Sequence, residues 1–214
     1  MKKIEKPFFI SLLLSCIPIL LYFMFYPLLP SQIPSSFSFS GEVTGYTSRG
    51  SYLFLTLLPF FITIVFAVAP RIDPKMQNYD KFLPFYGKFQ VFMVVFMDII
   101  IGLTMLQCIF DNVPTVSKVT PILLGCLFIF IGNYLPKTKQ TFTFGIKTPW
   151  TLSSELVWYK THRIAGYSFM FAGICSFISA LLPAAGYLML VAILLAVLIP
   201  TIMSYVYYKQ ENQG

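Results

Sequence analysis

The chain has 214 residues, 57% of them hydrophobic and only 11% charged, which is more apolar surface than a water-soluble fold of this size could hide. Lipid removes the difficulty, because a helix in a bilayer can be apolar all round. The formal charge of +7 does not indicate nucleic acid, since the basic residues stand between apolar runs instead of clustering on a soluble face.

In chain order, Lys2, Lys3 and Lys6 precede an apolar run at 8–29 that contains Pro18 and Pro27. The run is long enough to span and no small-x-small cleavage site follows it, so it is expected as a retained first helix. The second span is expected at 52–69, with Pro59 near its middle. Proline leaves a backbone carbonyl free, so both helices should be kinked. The third, at 89–110, carries one acid, Asp98. A charge buried in lipid costs at least roughly 3 kcal/mol, so this carboxyl should be neutral, paired or facing a wet cavity. A functional role and a protonated carboxyl bonded to a neighbouring helix both remain open. The fourth, at 120–135, contains Gly125 and Gly132, small residues that let helices approach closely. The fifth and sixth, at 164–182 and 185–207, are separated only by Pro183-Ala184 and should form a tight helical hairpin.

The expected architecture is an all-α integral membrane protein. A six-helix transmembrane bundle forms one membrane domain over 1–214, with a small extracellular cap loop at 30–50 and a cytoplasmic motif loop at 136–163. With the N-terminus inside, thirteen of the fifteen basic residues fall in inner segments and only Arg49 and Lys118 fall outside. That asymmetry puts both termini in the cytoplasm. Cys16, Cys108, Cys126 and Cys175 all lie inside apolar runs and read as small core residues.

The two longer loops carry the sequence features that simple turns lack. In the outer loop, Ser36-Phe-Ser-Phe-Ser40 alternates with period two, as a half-buried strand does, and Gly41 and Gly45 bracket a turn. This segment, with Phe37, Phe39 and the nearby Tyr46, is either a compact cap on the helices or a recognition surface whose strand edge pairs with a peptide. In the inner loop, Pro149 bars the residue before it from a helix. Thr151 or Ser153 can then cap a helix with Glu155 in its first turn. On it Trp158 and His162, four residues apart, share a face with Glu155. Both tryptophans, Trp150 and Trp158, fall here, which suits an amphipathic re-entry helix anchored at the inner leaflet. The rival reading is a docking platform for a cytosolic partner.

Chemistry finds little support. His162 is the sole histidine, with no Cys, Asp or Glu at ligand spacing, and is expected on the helix surface beside Glu155 or lipid headgroups. An intramembrane aspartyl protease needs two acids sharing a proton, and a serine mechanism needs a base near its nucleophile. Neither arrangement is present, nor is any P-loop or dinucleotide fingerprint. The chain is expected to be no enzyme and to use no metal or cofactor.

Gly132-Asn-Tyr-Leu-Pro-Lys137, the run from Gly145 through Thr148-Pro-Trp150, Ser153 and Glu155 to Trp158, and Thr161-His-Arg-Ile-Ala-Gly166 together resemble the signature of the SdpI-type membrane proteins. Leu29-Pro30, Ile33-Pro34 and Gly41-Glu-Val-Thr-Gly45 resemble the domain that often precedes it, although Ser36 to Phe39 stand where the family commonly shows a His or Asn with a Trp. The resemblance implies a bacterial plasma-membrane protein, without cofactor or catalytic residue, that protects a producer cell from its own secreted peptide toxin. It also implies that members can hold a cytosolic transcriptional repressor at the membrane. On this reading Phe37, Phe39, Gly41, Gly45 and Tyr46 carry recognition. The motif residues Asn133, Gly145, Thr148, Pro149, Trp150, Ser153, Glu155, Trp158, His162 and Arg163 carry the inner function. The alternatives are a signalling receptor that sequesters the repressor at its basic inner face, or a small transporter using Asp98. Direct nucleic-acid binding is not expected.

Overall fold

The structure, a computed structural model, describes residues 2–38, 42–182 and 186–213. In chain order its elements are α1 (Lys2–Leu14), α2 (Cys16–Phe25), β1 (Gln32–Phe37), β2 (Val43–Ser48), α3 (Tyr52–Thr56), α4 (Leu58–Ile72), α5 (Leu83–Gln107), α6 (Val116–Tyr134), α7 (Pro149–Ser153), α8 (Glu155–Leu181) and α9 (Gly186–Gln213). Among the described residues six stretches are long and apolar enough to cross a membrane: Lys6–Leu28, Tyr52–Ile72, Leu83–Gln107, Val116–Lys137, Glu155–Leu181 and Tyr187–Gln213. They turn large apolar side chains outward, Leu13, Phe54, Phe171 and Leu198 among them. The chain is thus an all-α membrane protein. The prolines act where expected: the first stretch breaks at Ser15, three residues before Pro18, and the second at Leu57, two before Pro59. At the first break the Ser15 hydroxyl donates to the Leu12 carbonyl at 2.8 Å, which keeps that group satisfied without water.

The chain divides into two compact units, one of Met1–Val68 with Gly87–Thr120 and one of Ala69–Tyr86 with Pro121–Gly214. In the first, Tyr22, Leu29, Ile33, Tyr52, Ile101 and Met105 form the core. The Tyr52 hydroxyl donates to the Ile101 carbonyl at 3.0 Å, and Tyr22 donates to the Arg49 carbonyl at 3.1 Å. Arg49 lies over the Tyr26 ring at 4.5 Å. β1 and β2 pair antiparallel, Gln32 opposite Ser48 and Phe37 opposite Val43, with register irregularities around Ser36. The strand therefore starts earlier than the alternating pattern suggests, and Gly45 lies within β2 opposite Ser36 rather than at the end of a turn. Phe39 and Gly41 fall outside the described residues.

In the second unit, α6 and α8 meet through glycine. A Cβ on Gly132 would stand 2.7 Å from the Gly166 carbonyl oxygen, and one on Gly166 would stand 2.9 Å from that of Gly132. Seven residues away the geometry repeats, a Cβ on Gly173 falling 2.9 Å from the Gly125 carbonyl. This antiparallel backbone contact is what small residues at helix interfaces permit in lipid. α9 packs on α8 through Ala172, Cys175, Ala192 and Ala196. Pro183 and Ala184 lie outside the described residues. Residues 155–163 do not form a separate helix along the membrane; they are the first turns of α8, which runs unbroken to Leu181. The loop 138–148 covers Trp158 and His162 on these turns and leaves Leu156 and Tyr159 exposed.

Candidate functional site

The second unit holds a dense polar and aromatic knot. Pro149 forces Thr148 into an extended conformation, and Thr148 caps the short α7. Its side chain accepts the Thr151 N–H at 3.1 Å, and the Thr151 hydroxyl accepts the Thr148 N–H at 2.9 Å. Ser154, also extended, ends α7 and accepts the Val157 N–H, so the helix with Glu155 in its first turn, α8, is capped by Ser154 and not by Thr151 or Ser153. Thr148 reaches Ser204 of α9 at 3.0 Å, and the Trp150 ring packs 5.1 Å from Tyr205.

Trp158 and His162 lie stacked one turn apart, ring centroids 3.9 Å from each other, and both are buried. His162 is not the surface residue expected: it is 0% exposed, while Glu155 is exposed two turns earlier. Its Nε2 accepts the Ile146 N–H at 3.1 Å, so Nδ1 carries the proton and donates to the Trp158 carbonyl at 2.8 Å. The Trp158 indole N–H donates to the Thr138 carbonyl at 3.2 Å. Gly145 closes over this pair with φ of 110°, and a Cβ there would stand 2.7 Å from His162 Nε2 and from the Trp158 ring. Glycine is required twice, by the backbone and by the space.

The other half of the knot comes from residues the sequence reading passed over. The carboxylate of Asp73, 4% exposed, accepts the Lys75 N–H at 2.8 Å on Oδ1. On Oδ2 it accepts the Phe142 N–H at 2.8 Å and both the N–H and the hydroxyl of Thr143 at 2.9 Å. Burial pushes this carboxyl up, but those donors outweigh it and hold Asp73 below the ordinary carboxylate range. The Tyr79 hydroxyl donates to Thr143, and burial, with the Asp73 charge nearby, raises its pKa. Gln140 accepts the Lys75 ammonium and donates to the Thr151 carbonyl at 2.6 Å. Phe144 packs among Phe82, Phe85 and Tyr86. The dipeptide Asp73-Pro74 is a turn signal that pointed to this anchor.

The motif residues are therefore split. Gly145, Thr148, Trp158 and His162 share one interior; Ser153 and Glu155 are exposed and join nothing in it. Asn133 and Arg163 meet instead in a groove of 290 Å³ beside α8, and Arg163 also lines a second of 390 Å³. In the first unit, Phe37 lines a pocket of 210 Å³ with Pro34, Tyr52, Leu55, Met97 and Thr104. Tyr46 is exposed on β2. Asp98 does not line that pocket; its carboxylate oxygens are buried with no hydrogen-bond partner among the described residues, and so are both side-chain polar atoms of Gln90, two turns earlier on α5.

Residues 137–204, which contain most of the knot and all of α7 and α8, match the SdpI/YfhL protein family. Residues 13–68 match a domain of unknown function, DUF1648. The chain is similar to the protein named Immunity protein SdpI of Bacillus subtilis (strain 168), 27% identical over 208 residues that cover 95% of this chain and 96% of the relative. No solved structure matches it. The chain is a multi-pass membrane protein with six candidate spans among the described residues. Among the described residues no group of three or more His, Cys, Asp or Glu is placed to hold a metal ion.

Proposed function

We propose that this chain is an immunity protein that protects the cell carrying it from a secreted, membrane-active peptide by binding that peptide. The end-to-end similarity to a protein named for immunity carries the reading. Two features of the first unit support binding. The pocket beneath β1 is almost wholly apolar, and the two-stranded sheet leaves each strand with a free edge among the described residues. An amphipathic peptide can lay its backbone along such an edge and place an apolar side chain in the pocket. The charge asymmetry supports both termini in the cytoplasm of a bacterial plasma membrane, with the hairpin outside, where a secreted peptide arrives. The protein works as a binder rather than as an enzyme. The exposed Lys137, Lys139 and Lys147 of the motif loop give an acidic cytosolic repressor a place to be held, which would relay the peptide's presence.

The test is survival against the peptide. Cells lacking the gene should become sensitive, and Phe37→Ala, at matched membrane level, should restore less protection than the native chain. Unchanged sensitivity in the deletion strain removes the immunity reading. A repressor that stays soluble on fractionation, with the protein and peptide both present, removes the relay.

A transporter is the second reading, favoured by the unpartnered carboxylate of Asp98 inside α5. Asp98→Asn would then abolish flux without unfolding the chain; normal protection in that variant leaves the binding reading standing alone.

A further inference from the structure

The two grooves beside α8 share Tyr159, Arg163 and Tyr167. Spaced by four, these residues form one stripe on the helix, and all three are exposed. Arg163 stands one helical turn from each of the two phenols, with one before it and one after it along the stripe. No carboxylate among the described residues lines either groove. Lys160, with its ammonium 5.7 Å from the Tyr207 ring, brings a second positive charge to the larger one. Leu156, Ile164 and Met170 supply apolar walls.

Depth along the bilayer decides what such a site takes. α8 has 27 residues, and is therefore about 40 Å long, about 10 Å more than the hydrocarbon layer. Its end at Phe177–Leu181 bears no charge, so the excess lies at the Glu155 end. Arg163 stands about 12 Å along from Glu155, close to the edge of the hydrocarbon. A cation flanked by hydroxyls there, with an apolar groove continuing down the helix, matches a phosphate ester bearing acyl chains.

We propose that the stripe Tyr159–Arg163–Tyr167 is a binding site for an anionic phospholipid. Arg163 holds the phosphate by charge-assisted hydrogen bonds, the phenol O–H groups donate to its remaining oxygens, and the acyl chains follow Ile164 and Met170. Arginine's fork suits a phosphate better than lysine would, and a net negative headgroup adds the attraction of Lys160.

The experiment uses the purified full chain in detergent and native mass spectrometry with phosphatidylglycerol or phosphatidylcholine of the same acyl chains. The native chain should hold phosphatidylglycerol the more tightly, and Arg163→Gln should weaken it about tenfold, as loss of one charged hydrogen-bonding group does. Tyr167→Phe, which keeps the ring, should weaken it by a smaller factor, and Lys118→Gln, at an exposed lysine far along the chain, should not. Because Arg163 is exposed, the lipid-free melting temperature of Arg163→Gln should equal the native value. Equal retention by Arg163→Gln, or equal binding of the two lipids, overturns the proposal. Displacement of the lipid by glycerophosphoglycerol or inorganic phosphate at matching concentration overturns the lipid as ligand in favour of a free phosphate.

Discussion

Removing the carboxylate of Asp73 tests whether the knot rests on that one side chain. In Asp73→Ala the part-buried N–H groups of Lys75, Phe142 and Thr143 lose their acceptor, as does the Thr143 hydroxyl. The hydroxyl can rotate to another partner, so the three part-buried N–H groups bear most of the loss, each at the low end of the cost of an unsatisfied donor. At roughly 1–3 kcal/mol for each unsatisfied buried donor, the variant should lose about 3 kcal/mol. For a chain of this length that lowers the melting temperature by about 6–12 °C. Both tryptophans lie in this unit, so intrinsic fluorescence during a thermal ramp in detergent follows it directly. The pH dependence has a definite sign. The folded state holds Asp73 below its unfolded value, so folding favours the ionised form. The contribution is complete above the ordinary carboxylate range and fades as pH falls through the folded value, so the gap between native and variant should narrow in acid. A melting temperature within about a degree of native at neutral pH, or a gap that widens in acid, refutes the reasoning.

Gly145→Ala should destabilise the same unit by about 1–3 kcal/mol, because its φ is strained for any side chain and the methyl meets His162 and Trp158; the fluorescence melt reads it, together with a changed Trp158 emission. His162→Ala should leave the Ile146 N–H unpaired and open a cavity beside Trp158, lowering stability by about 2–4 kcal/mol in the same assay. Gly166→Leu should push α6 from α8 and cost about 1–3 kcal/mol or prevent accumulation in the membrane, whereas Gly50→Ala, with open space around it, should be tolerated. Tyr52→Phe removes one hydrogen bond, to the Ile101 carbonyl, and should cost about 1 kcal/mol by thermal melt.

Solvent and span count were legible along the chain because lipid imposes a one-dimensional rule: an uninterrupted apolar stretch must be helical, and Pro18 or Pro59 must disturb it locally. The knot was not legible in the same way. His162, Trp158 and Glu155 look alike on a helical wheel, yet a loop anchored on Asp73 folds over the first two and leaves the third exposed. Ser154, not Thr151 or Ser153, caps the helix that carries Glu155 in its first turn, because Thr148 and Pro149 start a separate short helix before it. Strand β2, Val43–Ser48, has no clean apolar alternation and exists because β1 supplies its partner. Gly125 and Gly132 announced a close helix contact, but only packing showed that Gly173 and Gly166 face them. Sequence alone determined the solvent, the helices and where prolines break them, since those depend on neighbours along the chain. Tertiary structure decided which polar groups are sealed from water, because that depends on residues some seventy positions apart meeting, as Asp73 and Thr143 do.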